Sequence, residues 1–269
     1  MRTDEDGSAA AASAPPTRFA GTLMDVLDRV KYSRVPMDVT DNPVYRLRYE
    51  AYRREEFVPF NDAGVVVDDL DHTPNASCFA VHIDGELVSS LRLHHLTSRH
   101  PCSPSMKVFP DVLGPLLDEG QHFIDPSRFT ADYEASLAYP ALPFLTLRIA
   151  VMATIYHRAD NCLALVRPEH APFYKRVFGS EAMGDIRPYP GLAFPVGLYG
   201  ARVESRRYQS IFSRFPFFLS TVEERDSLFG LAESQEGTGE LVPASSRTAY
   251  ELAIATTGPM SQAAAIQTA

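Results

Sequence analysis

Residues 123–132 read FIDPSRFTAD, an aromatic and β-branched run of strand type that nonetheless holds Asp125, Pro126 and Arg128. In a regular strand Asp125 and Arg128, three apart, point to opposite faces. Pro126 has no amide hydrogen for the ladder and argues against regularity. A bulge at this point inserts one residue, reverses the parity and brings the carboxylate and the guanidinium onto one face, with an unpaired backbone amide beside them. That amide can polarise a carbonyl, and the charged pair can line a cleft. The structural alternative is a strand that starts at Pro126, with Arg128 solvated on a sheet edge.

Other charged groups carry the same two readings. Tyr45, Arg48, Tyr52 and Glu55 recur at helical spacing, opposite Val44, Leu47 and Ala51. An arginine between two tyrosines can hold a carboxylate, or Arg48 can pair with Glu55 or Asp41 on a solvated face. Asp68, Asp69 and Asp71 can bind an amine through their charge, or form a solvated turn. Arg92, in SSLRLHHL, projects with Ser90 and His94, away from Leu91 and Leu93. His94, His95 and His100 lack a carboxylate or cysteine partner at metal-site spacing, so no metal is expected. The chain contains no GxSxG elbow, no GxGxxG and no Walker loop, which sets aside hydrolase, dinucleotide-binding and P-loop chemistry.

The elements that must position these residues are legible in outline. Asp41 or Asn42 caps a helix with Pro43 in its first turn, running through VYRLRYEAYRREEF. CFAVHID and ELVSSLRLHHL form a hairpin about Asp84-Gly85. A short helix over VFPDVLGPLLDEG, the opening strand, an amphipathic helix over PALPFLTLRIAVMATIYHRA, the strand NCLALVRP and a helix over HAPFYKRVFG follow, with strands near 181–188 and 192–198. The order is mixed α/β. Residues 1–18 have the composition of a disordered tail, 19–231 of a single domain whose last part adds helices, and 232–269 of a low-complexity, largely disordered tail.

Of 269 residues, an excess of acids leaves a net charge of −9, which argues against nucleic acid or an anionic membrane as partner. Three scattered cysteines suit a reducing cytoplasm rather than a disulfide framework. The longest apolar run is interrupted by Arg148 and is too short to span a bilayer, and the acidic start is unlike a signal peptide. A soluble cytoplasmic protein is expected.

In sequence order, RYEAY, DDLD, SLRL, SPSMKVFP, FIDPSRF and PEHAPFYKRVFG resemble the acyl-homoserine-lactone synthases and the related N-acyl amino acid synthases, over roughly residues 37–198. The resemblance implies the GCN5-related N-acyltransferase fold, a mixed central sheet flanked by helices. It implies that Arg48 and Tyr52 bind the acceptor and that Asp68 and Asp71 serve the amine side. Arg92, Asp125 and Arg128 become a charged network, with Phe129 beside it and Tyr174 near the thioester sulfur. Arg128 holding the acceptor carboxylate is the alternative role.

Two departures bear on the substrate. The homoserine-lactone enzymes carry a glutamate where this chain has Val66 and a tryptophan where it has Val58, and the chain has no tryptophan at all. A plain amino acid acceptor therefore fits better than S-adenosylmethionine. The segment YEASLAYPALP lacks the glycine loop that cradles the pyrophosphate in coenzyme A-dependent relatives. No resident cofactor is expected: the donor is the acyl-phosphopantetheine of an acyl carrier protein, docked on a basic patch drawn from Arg148, Arg158, Arg167, Lys175 and Arg176. The expected activity is transfer of a long-chain acyl group to the α-amine of an amino acid. Rival readings are homoserine-lactone autoinducer synthesis, a coenzyme A acetyltransferase and a non-catalytic acyl-binding module.

Overall fold

The computed structural model describes residues 17–36, 42–192, 194–230 and 239–256. The elements in chain order are α1 (Arg18–Leu27), β1 (Val30–Val35), α2 (Pro43–Arg54), β2 (Ala76–Ile83), β3 (Glu86–Leu96), α3 (Pro104–Val108), α4 (Pro110–Asp118), β4 (Phe123–Ala131), α5 (Tyr133–Ala138), α6 (Leu142–Tyr156), β5 (Asn161–Val166), α7 (Ala171–Val177), β6 (Glu181–Ala182), β7 (Arg187–Pro188), β8 (Pro195–Arg202), α8 (Arg206–Arg214), α9 (Val222–Phe229), β9 (Val242–Pro243) and α10 (Ser246–Thr256). The strands form one mixed sheet in the order β6-β8-β5-β4-β3-β2-β1-β9, with β7 on β8. Every pairing is antiparallel except β4 with β5.

Local chemistry sets the elements that carry the site. Asn42 caps α2 by accepting from the Val44 amide at 2.9 Å, with Pro43 at the first helical position. Asp84 (φ +53°) and Gly85 (φ +91°) turn β2 into β3, a pair of left-handed residues that matches the twist of a two-residue hairpin. A short 3-10 turn, Asp69–His72, precedes β2 and is closed by a capping box in which Asp68 is the cap and Asp71 reaches back to the Asp68 amide. The helix expected over 108–120 is α4, with Pro110 at its first position, and a short helix that was not expected, α3, precedes it.

Helix α6 is not amphipathic as expected. Eleven of its fifteen residues are buried, including Arg148, because the sheet covers one side and the C-terminal helices cover the other. Arg148 donates to Glu224 of α9, by Nη2 at 2.8 Å, and to the backbone oxygens of Phe217 and Leu219. A buried guanidinium must be neutralised and hydrogen-bonded, and Glu224 does both. Arg148 is therefore removed from any surface patch.

The disordered stretch expected over 232–269 does not hold for its middle part. Val242 pairs with Tyr32 at the edge of the sheet, and Ser245 and Ser246 bond to Glu224 and the Phe217 carbonyl. Alternation of small and polar residues hid a segment whose order comes from partners far away in sequence. Thr17 caps α1, so two residues of the expected N-terminal tail, Thr17 and Arg18, belong to that helix and its cap. The expectations for residues 1–16, 232–238 and 257–269 lie outside the described residues.

Candidate active site

Register fixes which residues share a face. Between β3 and β4, Arg92 pairs with Ser127 and Ser90 with Thr130, so two β4 residues, Arg128 and Phe129, stand opposite Leu91. That is a bulge of one residue. Arg128 accommodates it with φ +51°, the left-handed conformation. Parity reverses across the bulge: Asp125 and Ser127 lie on the Arg92 face before it, and Thr130 lies there after it, its Oγ1 2.6 Å from Ser90 Oγ. Asp125 and Arg128 thus reach one face, as the spacing suggested. The bulge is at Arg128–Phe129, not at Pro126, because Pro126 keeps its register with Leu93.

On that face runs a chain of alternating charges. Arg48 Nη1 donates to Asp71 Oδ1 at 2.8 Å, and Arg92 Nη1 approaches the same oxygen at 3.1 Å. Arg92 Nη1 also donates to Asp68 Oδ1 at 2.6 Å, and Arg128 Nη2 donates to Asp68 Oδ2. The side chains of Arg48 and Asp71 are sealed, whereas Asp68 and Arg128 are 30% and 28% exposed. Burial would raise the Asp68 carboxyl, but the charge of Arg92 and the bond from Arg128 outweigh it and hold it well below the usual carboxylate range. Asp71 is held low in the same way by Arg48 and Arg92. Three guanidiniums against two carboxylates leave one positive charge uncompensated, and Arg128 is where solvent reaches it.

This geometry corrects several expected roles. Arg48 does not meet an acceptor: it points inward to Asp71 and to the Cys78 sulfur at 3.1 Å, with its guanidinium over Tyr45. Its partner is neither Glu55, which is exposed, nor Asp41, which lies outside the described residues. Asp71, fully buried, positions Arg48 and Arg92. Asp125 is apart from the chain of charges; its carboxylate accepts from the Ser105 amide at 3.0 Å and the Ser105 hydroxyl at 2.8 Å and so anchors α3. Burial pushes the Asp125 carboxyl up against those bonds. Phe129 is 37% exposed at the bulge.

Tyr52 does reach the site, its ring 5.4 Å from the Arg128 guanidinium. Phe57 extends that aromatic wall to Phe194, and Arg167 lies 4.8 Å from the Phe194 ring centre. Tyr189, Ser127 and Ser105 belong to the same neighbourhood and were not anticipated. Ser103, the cap before Pro104 at the start of α3, was the sequence signal for the helix that brings Ser105 to Asp125.

Beside the bulge the sheet opens. β4 and β5 pair only at Phe123–Asn161 and Ile124–Cys162, although both strands continue. The gap beyond is lined by Pro126, Leu147, Cys162, Ala164, Tyr174 and Phe178, and leaves a narrow apolar cavity of ≈ 20 Å³. That is room for about one water molecule, so a thioester arm enters only if side chains there give way. Burial pushes both the Tyr174 hydroxyl and the Cys162 thiol up to about 12. Of the residues proposed for a basic patch, Arg158, Lys175 and Arg176 are exposed, Arg167 packs on aromatic rings, and Arg148 is in the core. Phe109, Leu113 and Leu116 belong to the core under α4, and Phe144, Leu147 and Phe173 to the core around α6.

A mixed sheet flanked by helices and splayed beside a bulged strand has the architecture of the GCN5-related fold, with a charged cleft on one face. A protein-family model described as N-acyl amino acid synthase FeeM matches residues 43–202, and the chain belongs to that family. The solved structure of FeeM, an N-acyl amino acid synthase from uncultured soil microbes, aligns at a TM-score of 0.54 and 15% identity, covering 68% of this chain and 94% of that one. The acyl-homoserine-lactone synthase LasI aligns at 0.49 and 16% identity, covering 68% and 92%. A coenzyme A-dependent acyl-homoserine-lactone synthase, BjaI, aligns at 0.49 and 14%, covering 69% and 89%. At these identities the likeness establishes fold alone. No curated protein matches.

Proposed function

We propose that the protein transfers a long-chain acyl group from the phosphopantetheine thioester of an acyl carrier protein to the α-amine of an amino acid. The observation that carries this reading is a network with one more guanidinium than carboxylates, which solvent reaches at the partly exposed Arg128, beside Tyr52 and directly at the β4 bulge. A carboxylate bound there places its own α-nitrogen next to the bulge, and Asp68 faces the nitrogen as an anion. Membership of the N-acyl amino acid synthase family supports an amino acid as the acceptor.

In the proposed step the neutral amine nitrogen attacks the thioester carbon, the carbonyl oxygen takes a hydrogen bond from the backbone amide freed by the bulge, and the C–S bond breaks. Asp68 is held too acidic by its two arginines to be a strong base, so it orients the amine while the amine proton passes to solvent. Tyr174, protonated at neutral pH, donates its proton to the departing sulfur, which leaves as a thiol, and the tyrosinate regains a proton from solvent, balancing the one the amine released. Cys162 at the slot stays a thiol and is a poor nucleophile, in keeping with direct transfer. The missing glycine loop supports a carrier protein over coenzyme A, and the exposed Lys175 and Arg176 on α7 beside the slot, with Arg206, Arg207 and Arg214 on α8, supply positive charge for an acidic carrier.

Mass spectrometry of lipid extracts from an expressing bacterium tests the reading. New N-acyl amino acids are expected; a folded, expressed protein that yields none overturns it. Consumption of S-adenosylmethionine with release of methylthioadenosine would assign autoinducer synthesis instead. In purified form, Tyr174→Phe is expected to lower kcat about tenfold with little change in the KM for the amino acid, measured by release of carrier-protein thiol.

A further inference from the structure

A second cavity lies on the other side of the sheet. Along β3, Arg92 and His94 face the candidate site, while Leu93 and His95 face α6 and α9. There, at the C-terminal end of α6, a cavity of ≈ 240 Å³ is walled by Phe79, Leu93 and Phe229 and, on its polar side, by Arg34, His95 and His157. Among the described residues the wall contains no carboxylate.

Arg34 is the anomaly in this wall. It continues an inward row of β1, after Val30 at 1% and Tyr32 at 0% exposure, and is itself only 9% exposed. Its guanidinium has no acceptor and no aromatic ring over it among the described residues. Burial without a partner pulls its pKa down. An apolar residue would satisfy β1 at lower cost, since an unpaired buried cation is unfavourable. The histidines add donors without adding charge: His95 stacks on His157 with ring centres 4.2 Å apart, and burial brings their pKa values to about 4 and 3. His95 Nε2 has no hydrogen-bond partner. One cation, neutral donors and an apolar floor match one kind of ligand.

We infer that this cavity binds a small organic monocarboxylate, its carboxylate on Arg34 and its apolar body against Phe79, Leu93 and Phe229. Inorganic phosphate fits less well, because half of the wall is apolar and only one charge faces the anion. The site is separated from the acyl-transfer cleft by the thickness of the sheet, so occupancy there is a second binding event rather than part of the transfer.

Sodium hexanoate, hexanol and inorganic phosphate serve as probes on the full chain, read by thermal unfolding and by NMR of the histidine rings. Hexanoate at roughly tenfold over its Kd is expected to raise Tm by about 3–5 °C and to shift the His95 and His157 signals. Arg34→Met is expected to weaken hexanoate about tenfold or more while leaving the ligand-free protein at least as stable, because it removes an unpaired buried charge. Arg128→Ala is expected to leave hexanoate binding unchanged. The inference is overturned if hexanol stabilises as well as hexanoate, if phosphate alone binds, if no probe binds, or if Arg128→Ala abolishes binding and Arg34→Met does not.

Discussion

Arg128 serves the site with both its backbone and its side chain, and the two can be separated experimentally. A non-glycine residue at φ +51° costs about 1–2 kcal/mol, and its half-exposed ion pair with Asp68 contributes roughly 0–1 kcal/mol. Arg128→Gly should therefore change unfolding free energy in urea by less than about 1 kcal/mol while acyl transfer falls at least tenfold. Asp68 offers a second test. Its native carboxyl value, like that of Asp71, is depressed below the unfolded ~3.9. Stability from these groups is complete above that value and is lost as pH falls toward the native values. The urea midpoint should drop between about pH 5 and pH 2, and less steeply in Asp68→Asn. From the sequence, the types and spacing of Asp68, Asp71, Arg92 and Arg128 were enough to mark them. Which of them touches solvent was not, because Arg48 and Arg128 are equally plausible acceptor ligands until burial is known.

At the scale of elements, the ion pair between α6 and α9 is the most exposed to single substitution. Glu224 takes both guanidinium donors of Arg148 and also accepts from Ser245. Glu224→Gln leaves a buried cation without its counter-charge and should cost about 3–5 kcal/mol, whereas Arg148→Met combined with Glu224→Leu should recover most of that loss in urea unfolding. The helix periodicity could not reveal this. An arginine inside an apolar run reads as an interruption or a surface face, and its partner is 76 residues away. By contrast α2, the β2–β3 hairpin and β5 were legible, since each is set by a cap, a turn or a composition contained within a few residues.

For the whole molecule, residues 239–256 are part of the fold rather than an appendage. Val242 extends the sheet beside Tyr32, and Ser245 and Ser246 complete the bonding of Glu224 and Phe217. Truncation after residue 238 should cost several kcal/mol, on the order of 2–4 for the lost buried bonds and packing, and should lower Tm without removing the charged face. Among the described residues no helix is long and apolar enough to cross a membrane.

The sequence alone determined the fold class and the set of charged residues to watch, because strand alternation, turn glycines, helix caps and motif order are written in neighbouring positions. It also implied a parity reversal on β4. Only the tertiary structure decided where that reversal falls, that Asp125 holds α3 through Ser105 rather than joining Arg128, and that Arg148 belongs to the core. The reason is physical: a guanidinium or a carboxylate takes its role from its counter-charge and from its distance to water, and both are supplied by segments remote in the chain.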